Sequence, residues 1–136
     1  MNLHACLRVD ATHEKVLVTL MAENRGERRA WLPRTVAADT ELTGPLFDLR
    51  EHPDSAAVPY LGDSAARPAL TADDYVELPP HSAHTHTIDI TRAYAFKPGD
   101  QAYVIRYEGQ AVSDIRHPEA TTVLATSPVL FRHTAP

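Results

Sequence analysis

Cysteine is almost missing from this sequence. Cys6 stands alone, so neither an internal disulfide nor a thiolate zinc cluster can hold the fold together. Glycine is sparse, with five residues, and none of them builds a phosphate-cradling loop or a G-x-S-x-G elbow. The common routes to nucleotide binding and nucleophilic catalysis therefore lack their signatures, although a triad assembled only in space would leave none. No apolar run approaches the roughly 18 residues that suggest a membrane span. The first eight residues, MNLHACLR, show neither a basic region followed by a long apolar stretch nor a small-residue cleavage site. The expected compartment is the cytoplasm, or an extracytoplasmic one if a leader has been trimmed.

Positive charge is also in short supply. Thirteen Lys and Arg face 18 Asp and Glu, for a formal net charge of −5, and the densest basic group is only Arg25, Arg28 and Arg29. A nucleic-acid binder needs a clustered cationic excess, so that class is set aside. Eight histidines would reverse the sign of the net charge if all were protonated, which makes surface charge sensitive to acid.

What the sequence does have is enough apolar material for a core. At 136 residues it fits one domain, spanning 1–136, and a globule of that size hides roughly two-thirds of its unfolded surface. Residues 134–136 read as a loose tail. Eleven prolines argue against long helices. The segment 15–24, KVLVTLMAEN, places Val16, Val18, Leu20 and Ala22 on one face of a strand, and Asn24-Arg25-Gly26-Glu27 supplies a turn. Further strands are expected at 3–9, 29–32, 46–50, 75–78, 84–90, 102–107 and 121–131, with one short helical turn at 91–95. In 102–107, Tyr103, Ile105 and Tyr107 form the core-facing row and Arg106 points out. Short strands punctuated by turn residues predict an all-β fold, an immunoglobulin-like antiparallel β-sandwich of about seven to nine strands.

Few residues invite chemistry. His13-Glu14-Lys15-Val16-Leu17 begins like H-E-x-x-H but lacks the second histidine, so it reads as a polar turn. The cluster His81-Ser82-Ala83-His84-Thr85-His86 is the local feature with metal-ligand character. On a strand, His84 and His86 project to one side about 7 Å apart, a spacing that allows two imidazoles to share Cu²⁺ or Zn²⁺, with His81 joining from the loop. The same alternation runs on through Ile88 and Ile90, so packed histidines at the mouth of the sandwich are the competing reading. Trp31 is either a core anchor or, if exposed, a hot spot for a partner. Tyr60, Arg67, Asp73 and Asp74 complete the candidate partner-binding set, and the long segments 33–45 and 62–74 are the natural contact loops. No catalytic or cofactor-binding residue is assigned.

The residues Val58-Pro59-Tyr60-Leu61-Gly62, then 67–79 (RPALTADDYVELP), Thr87-Ile88-Asp89-Ile90 with Ala93-Tyr94, and Gly99 with Tyr103 to Tyr107 carry a family pattern. This stretch resembles the β-sandwich domain that precedes the catalytic domain in bacterial aspzincin metalloproteases, relatives of deuterolysin and peptidyl-Lys metalloendopeptidase. The resemblance implies an immunoglobulin-like sandwich that does not itself hydrolyse peptides and works beside a zinc peptidase. The chain departs from that arrangement: it carries no H-E-x-x-H and is expected to stand alone without the catalytic domain, and Pro80-His81-Ser82 replaces the family's Pro-Gly-Glu turn after Leu78.

The leading expectation is thus a non-catalytic protein-binding module: an inhibitor, immunity protein or chaperone-like partner of a protease or other secreted enzyme. A small Cu- or Zn-binding protein is the first alternative. The second is a structural domain that self-associates through its sheet edges, so the expected state is a monomer or a weak homo-oligomer, with no nucleic-acid or membrane partner.

Overall fold

Alternation of apolar and polar residues builds the protein strand by strand. The computed structural model describes residues 2–11, 14–39, 42, 44–62, 72–117 and 120–135. His13, Arg67, Pro118, Pro136 and most of the 62–74 loop lie outside these. Among the described residues there are nine strands: β1 (Leu3–Asp10), β2 (Leu17–Asn24), β3 (Ala30–Pro33), β4 (Phe47–Glu51), β5 (Tyr75–Leu78), β6 (Ser82–Asp89), β7 (Gly99–Val112), β8 (Thr121–Ala125) and β9 (Val129–Ala135). One helical turn, α1 (Arg34–Ala37), and a 3-10 turn at Ala72–Asp74 complete the set.

All pairings are antiparallel and fall into two sheets. The smaller has the order β1-β2-β6. The larger runs β4-β7-β3-β5, with β8 and β9 also on β7. Strand β7 is long enough to serve two sets of neighbours: its first half pairs with β4 and β9, its second with β3 and β8. Ala125 faces Glu108 while Val129 faces Ile105, so three residues (126–128) span two, which is a bulge at Pro128. Buried Thr126 holds that point: its hydroxyl accepts the Tyr107 N–H at 3.0 Å and its own N–H donates to the Tyr107 carbonyl at 2.9 Å.

The two sheets share one apolar cluster. Leu7, Val18, Leu20, Ala22 and Ile88 come from the smaller sheet, and Leu32, Phe47, Leu49, Tyr103, Ile105, Tyr107, Leu124 and Phe131 from the larger. Burying side chains of this size stabilises by roughly 1.5–3 kcal/mol each before the entropy cost of ordering them. The expected row of Tyr103, Ile105 and Tyr107 is fully buried, and Arg106 lies outside, 3.0 Å from Asp48.

Several sequence expectations are corrected. The expected strand at 121–131 is two strands, because Pro128 cannot donate to the ladder. Thr134 and Ala135 are not a loose tail; they pair with Asp100 and Gly99 at the end of β9. In place of the helical turn expected at 91–95, residues 90–93 form a reverse turn closed by Ala93 N–H on the Ile90 carbonyl at 3.0 Å; the helical turn lies at 34–37, inside the 33–45 segment expected as a contact loop. No helix is long and apolar enough to cross a membrane among the described residues.

Candidate functional site, a charged cleft at one end of the sheets

The site starts from one buried polar side chain. Strand β2 ends at Asn24, which points inward and is completely buried. A buried amide must satisfy its hydrogen bonds internally, and Asn24 does so through the main chain. Its Nδ2 donates to the Arg28 carbonyl at 2.7 Å and to the Leu78 carbonyl at 3.1 Å, while its Oδ1 accepts the Gly26 N–H at 2.9 Å. The last contact is an Asx turn, the local geometry that Asn-x-Gly favours. One side chain thereby fixes the loop between β2 and β3 and ties it to the end of β5. Arg25 N–H, donating to the Asn2 carbonyl at 2.9 Å, secures the loop from the other side.

The fixed loop forms one wall of a cleft of about 890 Å³, lined also by Trp31 of β3 and by Ser113, Asp114 and Arg116 from the turn after β7. Ala30 and Leu32 are fully buried, so alternation turns Trp31 to the opposite face, where it is half-buried against the cleft. Trp31 lies across from Glu77 of β5 on one side and Val112 of β7 on the other.

Most charges around the cleft are paired. Arg29 meets Glu77 at 3.2 Å, Glu27 meets His81 at 3.0 Å, and Arg116 engages Asp114 through Nε at 3.1 Å and Nη2 at 3.2 Å. The side-chain hydrogen bond from Arg116 holds the Asp114 carboxyl below its usual range, and the same bond raises Arg116. Arg28 is the exception: its guanidinium has no acidic partner among the described residues.

The sequence candidates scatter. Trp31 lines the cleft, and His81 reaches its rim through Glu27. Tyr60 does not line it; its ring meets Tyr94 edge-on at 5.5 Å beneath a short bridge between the two residues. Asp73 and Asp74 sit on the 3-10 turn before β5; burial first, and then the Asp74 charge, raises the neighbouring Tyr75 hydroxyl. Arg67 lies outside the described residues.

The three histidines do not assemble. Each of His84 and His86 donates its Nε2–H to a main-chain carbonyl, Ala37 at 2.6 Å and Asp39 at 2.8 Å, while His81 is turned toward Glu27. No group of three or more His, Cys, Asp or Glu side chains is placed to hold a metal ion among the described residues. For the reading of one shared Cu or Zn site, the described residues offer no assembled ligand set: β6 projects His84 and His86 together, toward the end of α1 and Asp39 beyond it.

Asn24, Arg28, Arg116 and Asp114 were not singled out as site residues by sequence reasoning. The Asn-x-Gly turn was a legible signal for Asn24; nothing in the sequence joins residue 28 to residue 116. No family model and no curated protein matches this chain.

Proposed function

We propose that the protein is a non-catalytic protein-binding module whose recognition surface is this cleft. The supporting observation is its preformation: Trp31 shares the cleft with Arg28 and Arg29, on a loop fixed by Asn24, and with Arg116 from the turn after β7. A site ordered before contact loses less entropy on binding, and Trp and Arg are the side chains that most often dominate interface energetics. Binding suits these groups better than turnover. Asp114 and Arg116 each hold the other in its charged form, which is the opposite of the near-neutral pKa a general acid or base needs.

The partner we expect is a protease or another secreted enzyme, held in an inhibitory, immunity or chaperone-like complex. The likeness of 58–107 to the domain that accompanies aspzincin peptidases supports this choice. Many of the residues that carry the likeness, among them Val58, Leu78, Ile88, Ile90, Tyr94, Tyr103, Ile105 and Tyr107, are core residues, so they speak for the scaffold and leave the cleft to specify the partner.

The test is affinity capture from the native cell with the wild type, with Trp31→Ser, and with Arg132→Gln on the outer face of β9. A specific protein retained by the wild type and Arg132→Gln but lost with Trp31→Ser is the expected result. Capture that ignores Trp31, or no capture at all, removes the reading.

A further inference from the structure

We propose that the cleft takes an acidic peptide segment, one carboxylate on Arg28 and an adjacent apolar side chain on Trp31, an assignment that rests on the binding-module reading above. The charge pattern selects the ligand. Arg29 and Arg116 are already engaged by Glu77 and Asp114, so they shape the cleft and leave Arg28 as the cation without a counter-charge among the described residues. A guanidinium is a planar fork that matches a carboxylate with two parallel hydrogen bonds. Its backbone is anchored, because the Arg28 carbonyl is one of the two that Asn24 holds.

The rest of the cleft limits how much negative charge can enter. Glu27 and Asp114 both line it, and the chain as a whole carries −5. A polyanion such as nucleic acid would meet these carboxylates at successive phosphates, whereas a peptide can present one carboxylate and follow it with an apolar residue. Trp31 supplies the flat surface for that residue, half-buried and therefore fixed in orientation.

Trp31 is the only tryptophan in the chain, so its fluorescence reports on the cleft alone. The probe is a capped decapeptide of Gly and Ser with a central Phe-Glu pair; its twin carries Phe-Gln. The Glu peptide is expected to change Trp31 emission saturably and to weaken as salt is raised. The Gln twin, and Arg28→Gln with the Glu peptide, should each bind at least about tenfold more weakly, the loss of the charge-assisted carboxylate–guanidinium pair. Arg28 is exposed and its side chain has no hydrogen bond or ion pair among the described residues, so Arg28→Gln should unfold at the wild-type temperature.

Equal binding of the two peptides, no response of Trp31 to either, or full affinity in Arg28→Gln overturns the proposal. Inorganic phosphate competing as well as the Glu peptide would reassign the cleft to small anions. If a captured protein is lost with Trp31→Ser yet retained by Arg28→Gln, the binding-module reading stands and only the carboxylate assignment falls.

Discussion

The Nδ2 of Asn24 donates to the carbonyl of Leu78 at 3.1 Å across 54 positions of sequence. Asn24 ends a strand of the smaller sheet and Leu78 ends a strand of the larger, so this bond joins the two sheets where the chain crosses from one to the other. The cleft is built on that junction.

Removing the junction should cost more than an ordinary surface change. Asn24→Ala deletes three hydrogen bonds, among them the buried one to the Leu78 carbonyl, a loss of about 3 kcal/mol in unfolding free energy. Asn24→Asp should be worse at neutral pH, because a carboxylate cannot donate to two carbonyls. Its folded pKa would be raised, so its stability is greatest below the unfolded value of about 4 and is lost as pH rises through the folded one. Urea unfolding of both variants at neutral and acid pH measures the difference; an Asn24→Asp curve that improves with rising pH contradicts this account.

Much of the scaffold was legible in the residues themselves. Val18, Leu20 and Ala22 alternate cleanly and are buried as their spacing demands. Pairing partners and the extent of β7 were not legible. Gly99, Asp100, Glu108 and Gly109 are poor strand formers, yet β7 runs through all four because β8 and β9 supply hydrogen-bond partners along it. The cleft was visible only in fragments: Trp31 and the turn at Asn24 could be noticed, but Arg116 arrives through a contact between distant turns that no local pattern encodes.

Gly109 is required by the ring of Tyr107. A Cβ at Gly109 would sit on the Tyr107 hydroxyl, and that ring is too deeply buried to swing away. Gly109→Ala should lower stability by about 3 kcal/mol through overpacking. Tyr107→Leu removes the obstructing atoms, so the double variant should be markedly more stable than the sum of the single losses implies. Additive losses in thermal unfolding would show that the two positions do not share the space.

His133 sets an acid limit on stability. It is 2% exposed, its ring meets Phe96 edge-on at 5.1 Å, and its buried Nδ1 has no hydrogen-bond partner among the described residues. Burial pushes its pKa below the ordinary value. The unfolded chain therefore binds a proton more readily than the fold. Stability is complete above the unfolded value of about 6.5 and declines as pH falls below it. His133→Leu keeps the apolar volume and removes the titrating group, so its melting temperature should fall less than that of the wild type on acidification. Parallel declines in the two proteins would show that His133 does not set the acid limit.

The two histidines of β6 act as straps. Their Nε2–H groups, on the carbonyls of Ala37 and Asp39, fasten the end of α1 and the chain just after it to the inner side of β6. Gln places an amide donor at a similar reach, whereas Ala offers none. Each His→Ala change at 84 or 86 should cost about 1 kcal/mol and speed hydrogen exchange in residues 34–39, with the Gln variants falling between Ala and wild type. Calorimetry with Cu²⁺ and Zn²⁺ separates this role from metal binding, since a metal recruited to Nε2 must displace a carbonyl from each ring. Strapping predicts that His84→Ala/His86→Ala leaves metal uptake unchanged while loosening 34–39; loss of uptake with unchanged exchange would make the pair ligands instead.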